Sequence, residues 1–323
     1  MPADDKTREQ ALRAAAGAAG AAPSIFNTQP WSWQIGRSLK LWADHERQLM
    51  VADPDGRLLT ISCGVALHHA RIALAASGYE VVVRRLPDPA DPDLLAIIEL
   101  AGARQPTLRD LLLHDAIARR RTDRRAFGSE PVAESLAYGL VDAAESEGAH
   151  LHLVRRDEVA QLAMAAAQAG ACQLADPEYR RELMRWTHRP PWSRDGVPTT
   201  TAVQTSPRAV PVRDFAPFGG PAMEPGPQTD HGALYAVIFT DQDTPADWLR
   251  CGEALSAALL TATAEGLGTA PMSDVTELTV TRERLRHLLA GIGVPQLAVR
   301  VGHAPAGDPP STPRRPLQEV VYQ

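Results

Sequence analysis

Three cysteines in 323 residues, Cys63, Cys172 and Cys251, are too few and too widely spaced for a disulfide framework, and no CxxC or Cys/His cluster of zinc-site spacing accompanies them. A reducing cytoplasm is the simplest setting for such a chain. Excess positive charge is also missing, since the net charge is −6, which argues against a general nucleic-acid or acidic-membrane partner. The acidic start Met1 to Asp5 has no basic flank, and the alanine-rich stretch Ala11 to Ala22 is not a strongly apolar run of spanning length, so no export or membrane segment is expected. Lysine is nearly absent, Lys6 and Lys40 being the only two; this reads as a coding bias and excludes nothing.

The signatures of self-sufficient catalysis are missing as well. There is no HExxH, Walker loop or GxSxG. His68 and His69 are adjacent on a helix and therefore diverge, while His150 and His152 lie on a strand without carboxylate or cysteine ligands nearby in sequence, so both pairs read as core or surface histidines. With no evident nucleophile or acid/base pair, the chain suits a cofactor that brings its own chemistry.

What the chain does have is a repeat. Cys63-Gly64-Val65-Ala66-Leu67 with Gly78 recurs as Cys251-Gly252-Glu253-Ala254-Leu255 with Gly266, at a constant offset of 188 residues. One chain is therefore expected to fold as its own dimer, a monomer with an internal two-fold, and many ligand sites lie across such interfaces. With 44% hydrophobic residues, core material is not limiting.

Periodicity predicts helices over 8–21, 58–77, 107–120, 131–147, 157–168, 177–186, 245–265 and 277–289, and strands over 31–35, 39–43, 81–86, 94–100, 150–154, 233–239 and 297–301. Thr107 and Pro131 are expected near helix starts and Gly78 at a helix end. Residues 189–228 carry nine prolines and read as a long irregular loop, a candidate lid.

Three segments could bind a ligand. Arg119 to Arg125 gathers five guanidinium groups around Thr122, suited to phosphate oxygens, although taken alone the cluster reads first as a solvated basic helix end favoured by the helix dipole. Ser24, Asn27 and Gln29, on a loop bounded by Pro23 and Pro30, could hydrogen-bond the edge of a flat heteroaromatic ring or close an Asx-type turn. Gly266 to Asp274 lets backbone approach a ligand closely, or forms a helix end followed by a cap at Ser273 or Asp274.

Together, Pro23-Ser24 with Asn27-Thr28-Gln29-Pro30-Trp31, the Arg120-Arg121-Thr122-Asp123-Arg124 element, the Glu265-to-Thr269 helix end, Gly293-Val294-Pro295 and Pro313-Arg314-Arg315-Pro316-Leu317 resemble the FMN-binding nitroreductase superfamily. The order, with the loop before the arginines, is similar to its Acg-type branch, in which two degenerate halves share one intact site. The resemblance implies an α+β nitroreductase-like fold in two pseudo-symmetric halves, 1–105 and 106–323, with the lid in the second. It also implies one FMN: Arg120, Arg121, Thr122 and Arg124 at the phosphate and neighbouring polar groups, with Arg314 and Arg315 from the tail; Pro23, Ser24, Asn27 and Gln29 at the ring from the other half; and Pro271, Met272, Ser273 and Asp274 lining the ring. NAD(P)H and a nitroaromatic, quinone or similar electron acceptor are the implied partners of an oxidoreductase; a flavin-sequestering protein with a closed lid is the alternative.

Overall fold

The computed structural model describes residues 5–322, so the acidic start at Met1 to Asp4 lies outside the described residues. In chain order the elements are α1 (Asp5–Ala19), β1 (Trp31–Ile35), β2 (Leu39–Ala43), α2 (Arg57–Ala76), β3 (Tyr79–Arg85), β4 (Leu94–Ala103), α3 (Leu108–Arg119), α4 (Glu134–Glu145), β5 (His150–Leu153), α5 (Val159–Ala175), α6 (Pro177–Thr187), β6 (Leu234–Thr240), α7 (Pro245–Ala264), β7 (Gly268–Met272), α8 (Asp274–Glu277), α9 (Thr279–Leu288), β8 (Val294–Gly302), α10 (Leu317–Val320) and β9 (Val321–Tyr322).

Two sheets flank a central pair of long helices. One sheet runs β3-β4-β2-β1-β9 and the other β7-β8-β6-β5. In each, the four strands other than β9 pair antiparallel in corresponding order. The series helix, two strands, helix, two strands is thus used twice, as α1-β1-β2-α2-β3-β4 and, with helical insertions, as α4-β5-β6-α7-β7-β8. β9 pairs parallel with β1, so the end of the chain joins the first sheet.

α2 and α7 are the two copies of the 188-residue repeat, and each is 20 residues long. They are apolar nearly all round because they cross in the centre of the molecule. α2 is long and apolar enough to cross a membrane, yet most of it is buried here. The crossing is close because glycine sits at the same register on both helices: a Cβ on Gly64 would meet the Leu249 carbonyl and lie 2.9 Å from Gly252 Cα, and one on Gly252 would meet the Ile61 carbonyl and lie 2.7 Å from Gly64 Cα. Residues 61 and 249, like 64 and 252, differ by 188, so the contact is reciprocal, as a two-fold requires. One helical turn further on, His68 Nδ1 and Ser256 Oγ, again 188 apart, meet at 2.7 Å. His69 also faces Ser256, and both histidines are buried core residues; burial holds the His69 imidazole well below its usual pKa.

Several boundaries follow local rules. Thr107 and Thr244 each close a capping box, with Asp110 and Asp247, and Gly78 and Gly266 end α2 and α7 with positive φ. The structure differs from expectation in four places. Residues 268–272, read as loop, form edge strand β7; two glycines and Pro271 mask it in sequence, and an edge position tolerates the proline. α5 continues to Ala175 instead of stopping at 168, with Asp176 then capping α6. The helix expected over 277–289 is split into α8 and α9 by extended Leu278. Leu317–Val320 and Val321–Tyr322, where no element was expected, form α10 and β9, both too short to leave a periodic signal.

Residues 189–228 are irregular apart from two short helical turns, but they are not loose. Val210 is fully buried in the cluster beneath β6 and β8, and Val197, Ala202 and Phe215 pack with Phe26 and Trp186. Val203 and Met223 bridge the segment's two arms.

Gly64→Ala and Gly252→Ala should each destabilise the chain by about 1–3 kcal/mol or more, since the added methyl meets backbone that cannot rotate away. Because both act on one crossing, the double variant should lose less than the sum of the two. Urea denaturation checks this, and an unperturbed Gly64→Ala protein would contradict it.

Candidate functional site

Two adjoining cavities collect most of the sequence-predicted residues. The first, about 840 Å³ of empty space, is lined by Pro23 and Ser24 from the α1–β1 loop, Thr122 and Arg124, and Pro271, Met272, Ser273 and Asp274 at the end of β7. Its floor comes from the central helices: Leu58, Ile61, Ser62 and Val65 of α2 and Leu255 of α7. The second, about 740 Å³, is lined by Arg120, Arg121, Thr122, Thr201 and Arg314 among others. Thr122 lines both, so an apolar chamber and a cationic one meet at one residue.

The arginine cluster divides among these surroundings. Arg119 pairs with Asp115 at the surface, and Arg125 is held by Asp123 and by carbonyls of the 305–307 turn. Arg120 and Arg121 face the second cavity and Arg124 the first, because backbone pairing of Asp123 N–H with Thr269 O lays this stretch along β7. Arg120 is 3% exposed, and its Nε and Nη1 have no hydrogen-bond partner, as is also true of Arg314 Nε. Burial, then Arg314 and Arg121, lowers the Arg120 guanidinium to about 9; burial and Arg121 lower Arg314 to about 10. No Asp or Glu is among the residues that line this cavity. Like charges held together with donors unsatisfied are costly unless an anion completes them, and a phosphate has the required charge and acceptors.

The first cavity is less one-sided. Burial, then Arg213, lowers Arg124 to about 10 against the pull of Asp123, and its guanidinium lies 4.5 Å from the centre of the Phe215 ring. Burial raises the Asp274 carboxyl to about 6, with Glu277 acting in the same direction and Arg213 against it. Arg213 is itself held by Glu277, by Ser273 Oγ at 3.2 Å and by Tyr179 OH at 3.0 Å, and it lies over Phe26 at 4.8 Å. Val212, Arg213 and Phe215 therefore bring the 189–228 segment into the wall of this cavity, while Thr201 and Met223 bring it into the other.

Asn27, Gln29 and Arg315 line neither cavity. Asn27 Nδ2 donates to Gly196 O at 2.9 Å and Pro313 O at 3.0 Å, and its Oδ1 accepts from Arg314 Nη1 at 2.9 Å. Gln29 Nε2 donates to Arg194 O at 3.0 Å, and its Oε1 accepts from Arg315 N–H at 2.8 Å. These two amides clamp the stem of the irregular segment and the tail, and so bring Arg314 to the second cavity; Arg315 turns instead to Asp44 and Glu319. Phe26, Asn27 and Gln29 all have positive φ, between 45° and 54°, an uncommon conformation for residues with side chains and one that clusters at functional sites. Sequence reasoning missed Arg213 and Phe215, because nothing in an irregular proline-rich stretch signals which side chain turns inward. The α2 floor residues were hidden inside an apolar helix.

No protein-family model matches the chain. A protein of Mycobacterium tuberculosis H37Rv, Rv3131, named as a candidate NAD(P)H nitroreductase, is 41% identical over 305 residues, which cover 93% of this chain and 88% of the relative. The protein acg of the same organism, named in the same way, is 35% identical over 327 residues, covering 100% and 98%. Among solved structures, a Desulfitobacterium hafniense nitroreductase with bound FMN is 16% identical, with a TM-score of 0.40 over 62% of this chain and 94% of that one. Nitroreductase A of Vibrio parahaemolyticus is 15% identical, with a TM-score of 0.41 over 66% and 76%. On the identity and reach of the mycobacterial relatives, the chain belongs to the nitroreductase superfamily, in the Acg-type branch.

Proposed function

We propose that this chain is a single-chain FMN oxidoreductase in which two nitroreductase-like halves, 1–105 and 106–323, replace the two subunits of a dimer and share one flavin. The observation that carries the reading is the buried guanidinium of Arg120, with two unpartnered nitrogens, in a cavity walled by Arg121 and Arg314 and joined through Thr122 to an apolar chamber. Arg120, Arg121, Thr122 and Arg314 would hold the phosphate. Pro23 and Ser24 from the first half and Thr122, Arg124, Pro271, Met272, Ser273 and Asp274 from the second would enclose the ring. When bound, FMN supplies hydride and electron transfer; the chain contributes orientation, positive charge and exclusion of water.

NAD(P)H is the proposed reductant and a nitroaromatic, quinone or similar planar compound the acceptor, consistent with a cavity that is mostly apolar and lacks a dedicated acid/base pair. Free thiols at Cys63, Cys172 and Cys251 suit a cytoplasmic setting. A second reading is favoured by a specific observation: Arg213 and Phe215 of the 189–228 segment stand in the wall of the ring chamber, so the segment acts as a lid and the chain holds flavin with little turnover.

Arg120→Ala and Arg314→Ala should each remove charge-assisted hydrogen bonds of about 1.5–3 kcal/mol, weakening FMN binding about tenfold to a hundredfold. Surface-paired Arg119→Ala should leave it nearly unchanged. Fluorescence titration of the apoprotein measures this, and undiminished affinity in both cavity variants would refute the clamp.

Access is tested by Phe215→Ala, because deleting the middle of the segment would also remove buried Val210. If the segment gates an enzyme, anaerobic NADPH should bleach the flavin of Phe215→Ala faster than that of the natural chain. Equal, rapid bleaching of both would dispense with the gate. FMN retained but reduced in neither protein, by NADPH or NADH, would decide for sequestration.

A further inference from the structure

Resting on the reading of one flavin between two halves, we infer that the mirror position of the flavin chamber is closed by an ion-pair plug built from Glu253, Arg85, Arg71 and Glu147. The register that equates Arg57–Ala76 with Pro245–Ala264 continues through the glycines at 78 and 266 into the following strands. It carries three walls of the first cavity to counterparts. Val65 on α2 corresponds to Glu253 on α7, and Ser273 after β7 to Arg85 at the end of β3. The α1–β1 loop that presents Pro23 and Ser24 corresponds to the α4–β5 connection, which carries Glu147.

These three counterparts meet. Arg85 Nε and Nη2 donate to the two Glu253 carboxylate oxygens at 2.6 and 2.9 Å. Arg71 Nη1 donates to Glu253 Oε1 at 2.7 Å and also binds Glu147, whose Oε1 lies 3.5 Å from His68 Nε2. The Glu253 side chain is fully buried. A valine and a serine leave room for a flat ring at the first position, whereas a glutamate and an arginine fill the second and neutralise each other.

The pairing also explains why these longer side chains persist inside. A buried carboxylate is tolerated when forked donors satisfy it, and removing one partner alone would strand the other. The plug thus takes the place of a second cofactor in bracing the middle of α7 and the end of β3 against the short α4–β5 connection.

The test restores the side chains of the first position at the second. The double variant Glu253→Val/Arg85→Ser removes both charges together and leaves Arg71 its Glu147 partner. With FMN already bound, it should take up one further equivalent of lumiflavin, an isoalloxazine without phosphate, in a fluorescence-quench titration, whereas the natural chain takes up none. The volume-filling variant Glu253→Leu/Arg85→Met should fold, keep its FMN and bind no lumiflavin. A folded Glu253→Val/Arg85→Ser protein that retains FMN but binds no lumiflavin overturns the plug; so does failure of both variants to fold, which would make the cluster an essential scaffold. Loss of FMN in the natural chain would instead fault the one-flavin reading, so the two failures are distinguishable in one preparation.

Discussion

The backbone-to-backbone approach of α2 and α7 at Gly64 and Gly252 is the constraint on which the rest of the structure depends. Only residues without a Cβ allow each helix to seat a carbonyl in the other, and the reciprocal contact fixes the relation between the two sheets. With that relation set, α2 can supply the floor of a chamber whose roof is β7, although the two elements belong to different repeats. A looser crossing would separate Ser62 and Val65 from Ser273 and Asp274, and no shared cavity would form.

The second dependence is electrostatic. Arg120, Arg121 and Arg314 are delivered to one cavity from two segments far apart in sequence, by the pairing of Asp123 with Thr269 and by the grip of Asn27 and Gln29 on the tail. Burial, with the neighbouring guanidinium groups adding to it, lowers the pKa of Arg120 and Arg314, and an anion placed among them would offset that cost. At the proposed counterpart of the ring chamber, by contrast, Glu253 and Glu147 are paired with Arg85 and Arg71.

Much of this was legible in sequence where a local rule had a distinct signature. The repeat around Cys63 and Cys251 revealed both central helices, and the family resemblance grouped the arginines near Thr122 with those of the tail, of which Arg120, Arg121 and Arg314 do line one cavity. What remained hidden depended on tertiary direction. Asn27 and Gln29 have the chemistry to face a ring, but their backbones turn through positive φ and aim the amides at Gly196, Arg194 and the tail. Arg213 and Phe215 sit in a stretch whose prolines mark irregularity without marking an inward face. β7 was obscured because Gly268 and Pro271 suit a ligand-facing edge better than they suit strand propensity.

The central claim is that the two repeats, joined in one chain, create one flavin site between them. A crystal structure of the flavin-loaded protein tests it most directly. The account predicts one FMN per chain, its phosphate bonded to the now-unpartnered nitrogens of Arg120 and its ring between Ser24 and Met272. An FMN lying between two separate chains, or with its phosphate away from Arg120 and Arg314, would contradict it.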